Sequence, residues 1–279
     1  MSRLLAKLDN VDVRWFYGAL LLCIVLASFI RVPVKLEPSS EARGFFDQVE
    51  RLDGSKPVLI HSDWDQGTIG ELRAQFRGVV RHLFRKNIQF VIVSGIQTGR
   101  QFYEPEVDDL AREFGKEYGK DWVSFGFKVP DPKGIAIEAL ARDFPAQVKE
   151  DDRGQPVSAY AWLAKTRVAE DWALVVNIAY GPYLEYLTYF HAAARVPVVA
   201  GMASIWSTNL YPYFTAGTLK GMLVGARGGG EYEQQLGVSE FGTRFLLGQS
   251  AGHIILLVAI VLGNIGAIAV KAKRRRIET

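Results

Sequence analysis

Residues 57–94 read PVLIHSDWDQGTIGELRAQFRGVVRHLFRKNIQFVIVS. The first six, PVLIHS, form a compact β-rich run, and IQFVIVS (88–94) is a second. Between them Leu72, Phe76, Val79, Val80, Leu83 and Phe84 recur at helical spacing, which predicts a helix over Gly70–Lys86. Two strands apolar on both faces and joined through a helix predict a parallel pair covered on both sides.

The same alternation extends outward. Upstream, Glu41–Leu52 fits a helix with Phe45, Phe46, Val49 and Leu52 on one side. Downstream come a helix over Glu104–Tyr118, a strand over Trp122–Phe127, a loop with Pro130, Pro132 and Gly134, and a helix over Ile135–Phe144. A helix over Ser158–Ala169, a strand over Trp172–Ala179, a helix over Tyr183–Ala194 and a strand over Pro197–Ala200 follow. The expected fold is α/β, a Rossmann-like, mainly parallel sheet flanked by helices. Tyr211–Leu236 reads as helical, although it carries Gly217, Gly221, Gly225 and the run Gly228, Gly229, Gly230. A phosphate loop needs its glycines between a strand and a helix. No strand is expected directly before these, so they predict close helix packing or a hinge.

Apolar runs stand at both ends. Trp15–Ile30 has no charge and is framed by Arg14 and Arg31, with Val13, Val32 and Val34 extending it and Trp15, Phe16 and Tyr17 forming an interfacial belt. Ile254–Val270 is apolar except for Asn264, and Lys271, Lys273, Arg274, Arg275 and Arg276 follow it. Such a cluster stays in the cytoplasm. The expected order is a cytoplasmic N-terminus (1–14), a first span (15–34), an extracytoplasmic domain (35–240), a second span with its lead-in (241–270) and a basic cytoplasmic tail (271–279). Hence the α/β domain is expected to be inserted between two transmembrane helices of a cell-membrane protein. Gly248, Gly252, Ala259, Gly263 and Ala267 predict a ridge of small residues where another helix approaches.

Charge is divided the same way. Of the net +3, residues 1–34 contribute +2 and residues 241–279 contribute +5, so the central domain carries −4. That balance argues against nucleic acid as a partner. The single cysteine, Cys23, lies in the first apolar run, so the domain has no disulfide of its own.

A parallel sheet brings the C-terminal ends of its strands to one edge, where ligands of such folds bind. The ligand-binding candidates at that edge are Asp63, Asp65, Ser94, Gly95, Thr98, Arg100, Asn177, Gly181 and Ser204. The stretch DWDQGT (63–68) after the first strand resembles the first motif of haloacid dehalogenase-like phosphatases, and Ser94-Gly95 resembles the second. That resemblance implies that Asp63 attacks phosphorus, that Asp65 manages the leaving-group proton and that Ser94 holds the phosphate. The chain departs from the family after the fourth strand, where Asn177, Ile178, Ala179 and Tyr180 stand in place of magnesium-binding carboxylates. The local alternative for Asp63, Asp65 and Thr68 is capping of the next helix.

His61, His82, His191 and His253 have no metal-ligand spacing, so neither a metal nor a cofactor is expected. Arg73, Arg77, Arg81 and Arg85 repeat every four residues opposite the apolar stripe, reading as a solvated face or as a surface for an acidic partner or anionic headgroups. The expected function is a structural or ligand-sensing subunit of a membrane complex, partnered by the bilayer and by other membrane subunits or a second copy. The alternatives are a phosphate-processing hydrolase using Asp63 and Asp65, and a small-ligand receptor.

Overall fold

A computed structural model of the protein describes residues 12–29, 37–129 and 133–278. Arg31, Val32, Val34, Pro130 and Pro132 lie outside the described residues, as does most of the expected N-terminal segment. The chain divides into two compact units, residues 34–243 and the two ends, Met1–Pro33 with Arg244–Thr279.

The central unit is built on β1 (Val58–Asp63), β2 (Phe90–Ser94), β3 (Trp122–Phe127), β4 (Leu174–Ala179), β5 (Val198–Met202) and β6 (Met222–Val224). All neighbouring pairs are parallel, in the order β3-β2-β1-β4-β5-β6. Because side chains alternate across a strand, each β-run supplies both cores. On one face Val58, Ile60, Phe90, Ile92 and Val176 pack with Phe45, Leu72, Phe76 and Val107. These last come from α2 (Ser40–Glu50), α3 (Ile69–Arg85) and α4 (Arg100–Phe114). On the other face Leu59, Val91, Val93 and Val175 meet Ile137, Leu140, Phe144 and Phe190. Here the covering elements are α5 (Lys133–Arg142), α6 (Phe144–Val148) and a π-helical turn, Leu187–Ala192.

Two sequence expectations are corrected. The helix expected over Ser158–Ala169 is instead a series of 3-10 turns, Val157–Ala159, Ala161–Leu163 and Ala169–Asp171. Tyr160 breaks it with an extended backbone (φ −104°, ψ 96°), which lets its hydroxyl bond to Asp151 while Leu163 enters the core. The single helix expected over Tyr211–Leu236 is α7 (Ser207–Thr215), strand β6 and α8 (Gly225–Gln235). Gly217, at φ +73°, follows the end of α7, and a Cβ at Gly221 would fall on the Phe45 amide of α2.

The glycine run therefore does follow a strand, contrary to the expectation. Its contacts show what it does. A Cβ at Gly229 would stand 2.7 Å from the Ala74 methyl, and one at Gly228 would stand 2.7 Å from the Leu223 carbonyl carbon. The glycines let α8 lie directly on α3 and on its own preceding strand.

The terminal unit contains α1 (Val13–Phe29) and most of α9 (Phe241–Glu278). One stretch of α9, Phe241–Ile268, is long and apolar enough to cross a membrane. On α9 Gly248, Gly252 and Gly266 are buried, and Ile255, Ala259 and Leu262 are half-buried. These positions alternate four and three residues apart, the spacing of a helix–helix seam. Of the expected ridge, Gly248, Gly252 and Ala259 lie on this stripe, whereas Gly263 and Ala267 are exposed. A strict four-residue repeat drifts quickly around a helix of 3.6 residues per turn, and the 4-3 repeat drifts far more slowly.

Candidate functional site

The sheet order reverses between β1 and β4, which makes the ends of those strands the topological switch point where doubly wound folds open a crevice. His61 and Asp63 of β1 are two residues apart and project to the same face. Asn177 of β4 is in register with His61 and stands beside it. The segment after β4 brings Tyr183 and Tyr186 over them. The Tyr183 ring meets His61 edge-on with centroids 4.2 Å apart, and Tyr186 lies 5.4 Å away.

Asp63 is completely buried, and donors surround both carboxylate oxygens. Oδ1 accepts from Ser94 Oγ (2.8 Å) and from the Gly95 amide (2.5 Å). Oδ2 accepts a short hydrogen bond from the Tyr183 hydroxyl and lies 3.0 Å from His61 Nε2. That last contact is out of line for a hydrogen bond, so it acts through electrostatics. A Cβ at Gly95 would stand 2.5 Å from Asp63 Oδ2, so glycine is what allows the amide to approach. Burial pushes the carboxyl up, but the His61 ring, the Tyr183 hydroxyl and the Gly95 amide outweigh it and hold Asp63 well below the usual carboxylate range. Burial and the Asp63 charge push the Tyr183 hydroxyl far up, so it stays protonated and donates.

Three neighbouring groups keep unused hydrogen-bonding capacity. His61 Nδ1, Asn177 Oδ1 and the Tyr186 hydroxyl are buried and have no hydrogen-bond partner among the described residues. Buried polar atoms of this kind are normally satisfied. Their convergence on one face of the sheet leaves a buried polar cluster with unused hydrogen-bonding capacity at the switch point.

The other candidates are held elsewhere. Asp65 is exposed and accepts from the Gly67 amide (2.9 Å) and Thr68 Oγ1 (3.2 Å), closing the turn before α3. Neither Thr68 nor Asp63 caps the free amides of that helix. Arg100 is paired with Glu104 at 2.8 Å and leans on Asp152, while Ser204 donates to Glu71 through both its amide (2.7 Å) and its hydroxyl (2.5 Å). Thr98 is exposed, and Gly181 is buried, 3.8 Å from Trp206 if given a Cβ. Of the expected set, the fold brings together Asp63, Ser94, Gly95 and Asn177.

Sequence reading left His61 out of the site, and it missed Tyr183 and Tyr186. Tyr183, Tyr186 and Phe190 recur at helical spacing, and that pattern announces a core face rather than a polar function.

The arginine row is corrected as a solvated face. Arg81 is buried, and its guanidinium pairs with Glu113 and Glu240. Arg77 bonds Glu106 (3.0 Å), Asp109 (2.6 Å) and Glu240 (2.8 Å), and Arg73 forms an ion pair with Glu106 (2.7 Å). Arg85 donates to the Leu236 carbonyl (2.6 Å). The charges are taken up by α4 and by the chain entering α9, which the helical repeat of α3 alone does not reveal.

Among the described residues no group of three or more His, Cys, Asp or Glu side chains is placed to hold a metal ion. No protein-family model matches the chain, and neither a curated protein nor a solved structure does.

Proposed function

We propose that this chain is a two-span membrane protein whose α/β domain lies outside the cytoplasm and serves as a structural or ligand-sensing subunit of a membrane complex. The observation that carries the reading is the surface of the terminal helices. Trp15, Tyr17, Leu21, Leu22, Val25 and Leu26 of α1 are exposed, as are Ile254, Leu256, Leu257, Val258, Ile260, Val261, Ile265 and Ile268 of α9. Water disfavours such surfaces by about 25 cal/mol per Å² of apolar area, and hydrocarbon does not. Seventeen residues of α1 rise roughly 25 Å at about 1.5 Å each, close to a hydrocarbon core. The basic residues from Lys271 to Arg276 favour a cytoplasmic C-terminus, and two spans then return the N-terminus to the same side.

The sealed switch point supports binding or structure over catalysis. A carboxylate that attacks phosphorus needs a free oxygen facing the substrate, and Asp63 has four protein neighbours and no exposure. The hydrolase reading is favoured by one observation, the meeting of Asp63 with Ser94. It predicts that the full chain in mild detergent with magnesium hydrolyses p-nitrophenyl phosphate and that Asp63→Asn abolishes this; our reading predicts no turnover that depends on Asp63. The ligand-sensing reading rests on His61, Asn177 and Tyr186. It predicts that a screen of small polar compounds contains at least one that raises the melting temperature of the wild type but not of Tyr186→Phe. Recovery of the detergent-solubilised chain with no membrane partner, and no compound that stabilises it, would contradict both roles.

A further inference from the structure

We infer that the edge of the domain carrying the C-terminal ends of the strands rests on the bilayer, with Ile205 and Trp206 set among the lipid headgroups. This deepens the membrane reading above and rests on it. Among the described residues of the domain the exposed large apolar side chains are Phe127, Ile135, Val168, Tyr180, Ile205, Trp206 and Tyr211. All but Val168 belong to the same edge. Phe127 ends β3, Ile135 opens α5, Tyr180 follows β4, Ile205 and Trp206 follow β5, and Tyr211 lies on the second turn of α7. Ile205 is 79% exposed, and Trp206, at 37%, lies over Gly181. Among the described residues the opposite edge has no such concentration.

What covers this rim is indicated by where the chain enters and leaves the domain. The turn before Ile205 is fixed by Ser204 to Glu71, in the first turn of α3. Arg73, two residues further along the same helix, has its guanidinium 4.9 Å from the centre of the Phe241 ring, where α9 begins. Gly242 packs against Ala74 so closely that a Cβ would stand 2.9 Å from its methyl. Glu240 lies further down α3, beside Arg77 and Arg81, so the chain climbs along α3 towards its start as it enters α9. The other connection comes in at Ser39, bonded to Glu231 of α8, and two residues later Glu41 accepts from the Tyr211 hydroxyl (2.6 Å).

The rim of Ile205, Trp206 and Tyr211 thus lies between the two points through which the domain is tied to its anchors. With both connections leaving the domain from this edge, the bilayer proposed for the terminal helices is the surface that covers it. Tryptophan and tyrosine are what an interface accepts, since their amphipathic rings partition to the headgroup level, and an isoleucine beside them can dip into the acyl boundary.

The test uses the full chain with Cys23→Ser in phosphatidylcholine nanodiscs, carrying one environment-sensitive thiol label at a time. Ile205→Cys and Tyr180→Cys report the rim, Lys120→Cys reports the opposite edge, and Leu257→Cys reports the anchor. Lipid with a headgroup nitroxide is expected to quench labels at Ile205 and Tyr180 at least threefold more than the label at Lys120. Lipid with a mid-chain nitroxide is expected to quench the label at Leu257. Quenching at Leu257 with Ile205 and Tyr180 no more quenched than Lys120 overturns the docked edge while keeping the anchor, and leaves another protein as the occupant. No quenching at Leu257 overturns the anchor and the docked edge together.

Discussion

Asp63 stays ionised inside the domain because a hydroxyl from Ser94, an amide from Gly95, a hydroxyl from Tyr183 and the ring of His61 converge on it against the cost of burial. Its folded carboxyl lies below the unfolded value of about 3.9, so the unfolded state binds more protons in acid. The stability it contributes is therefore present above about pH 4 and is lost as the pH falls further. Asp63→Asn should lower the melting temperature at pH 7 by several degrees, and the gap to wild type should narrow at pH 3.5. A constant gap across that range would mean that the charge does not matter. Asp63 and Ser94 were legible as sequence because each ends an apolar strand. Tyr183 was not, since nothing local shows that it reaches back 120 positions to that carboxylate.

Among the elements, the long parallel strands were readable because they are apolar on both faces, with Val, Ile and Phe between polar turns. Strand β6 escaped because it has three residues between Gly221 and Gly225, too few for any period to show. The glycine run that obscured it makes a testable contact. Gly229→Ala gains up to about 1 kcal/mol of helix propensity but places a methyl against Ala74, for which about 1–3 kcal/mol of overpacking is expected. The net effect should be a lower melting temperature, whereas Gly134→Ala, whose Cβ has ordinary space beside Glu185, should be neutral or stabilising. Arg81 on α3 and Arg112 on α4 differ in the same way. Arg81→Ala breaks pairs with Glu113 and Glu240, but Glu113 is half exposed, so roughly 1–3 kcal/mol is expected rather than the full cost of a buried pair. Arg112→Ala, 79% exposed, should cost less than about 0.5 kcal/mol. Thermal unfolding of the detergent-solubilised chain ranks the four variants, and equal losses for Arg81 and Arg112 would deny the ladder its role.

For the molecule as a whole, composition announced a division that the structure repeats. The apolar, basic ends form one compact unit and the acidic middle forms another. The order of the strands was not legible, because the position of β4 beside β1 depends on packing between segments more than 100 residues apart. Membrane-impermeant thiol labelling in intact cells tests the central claim most directly, using Lys120→Cys on the domain and Thr279→Cys at the tail, each with Cys23→Ser. The account predicts that the domain cysteine reacts in intact cells and the tail cysteine reacts only after the cells are opened; both reacting in intact cells, or both reacting only after opening, would contradict it.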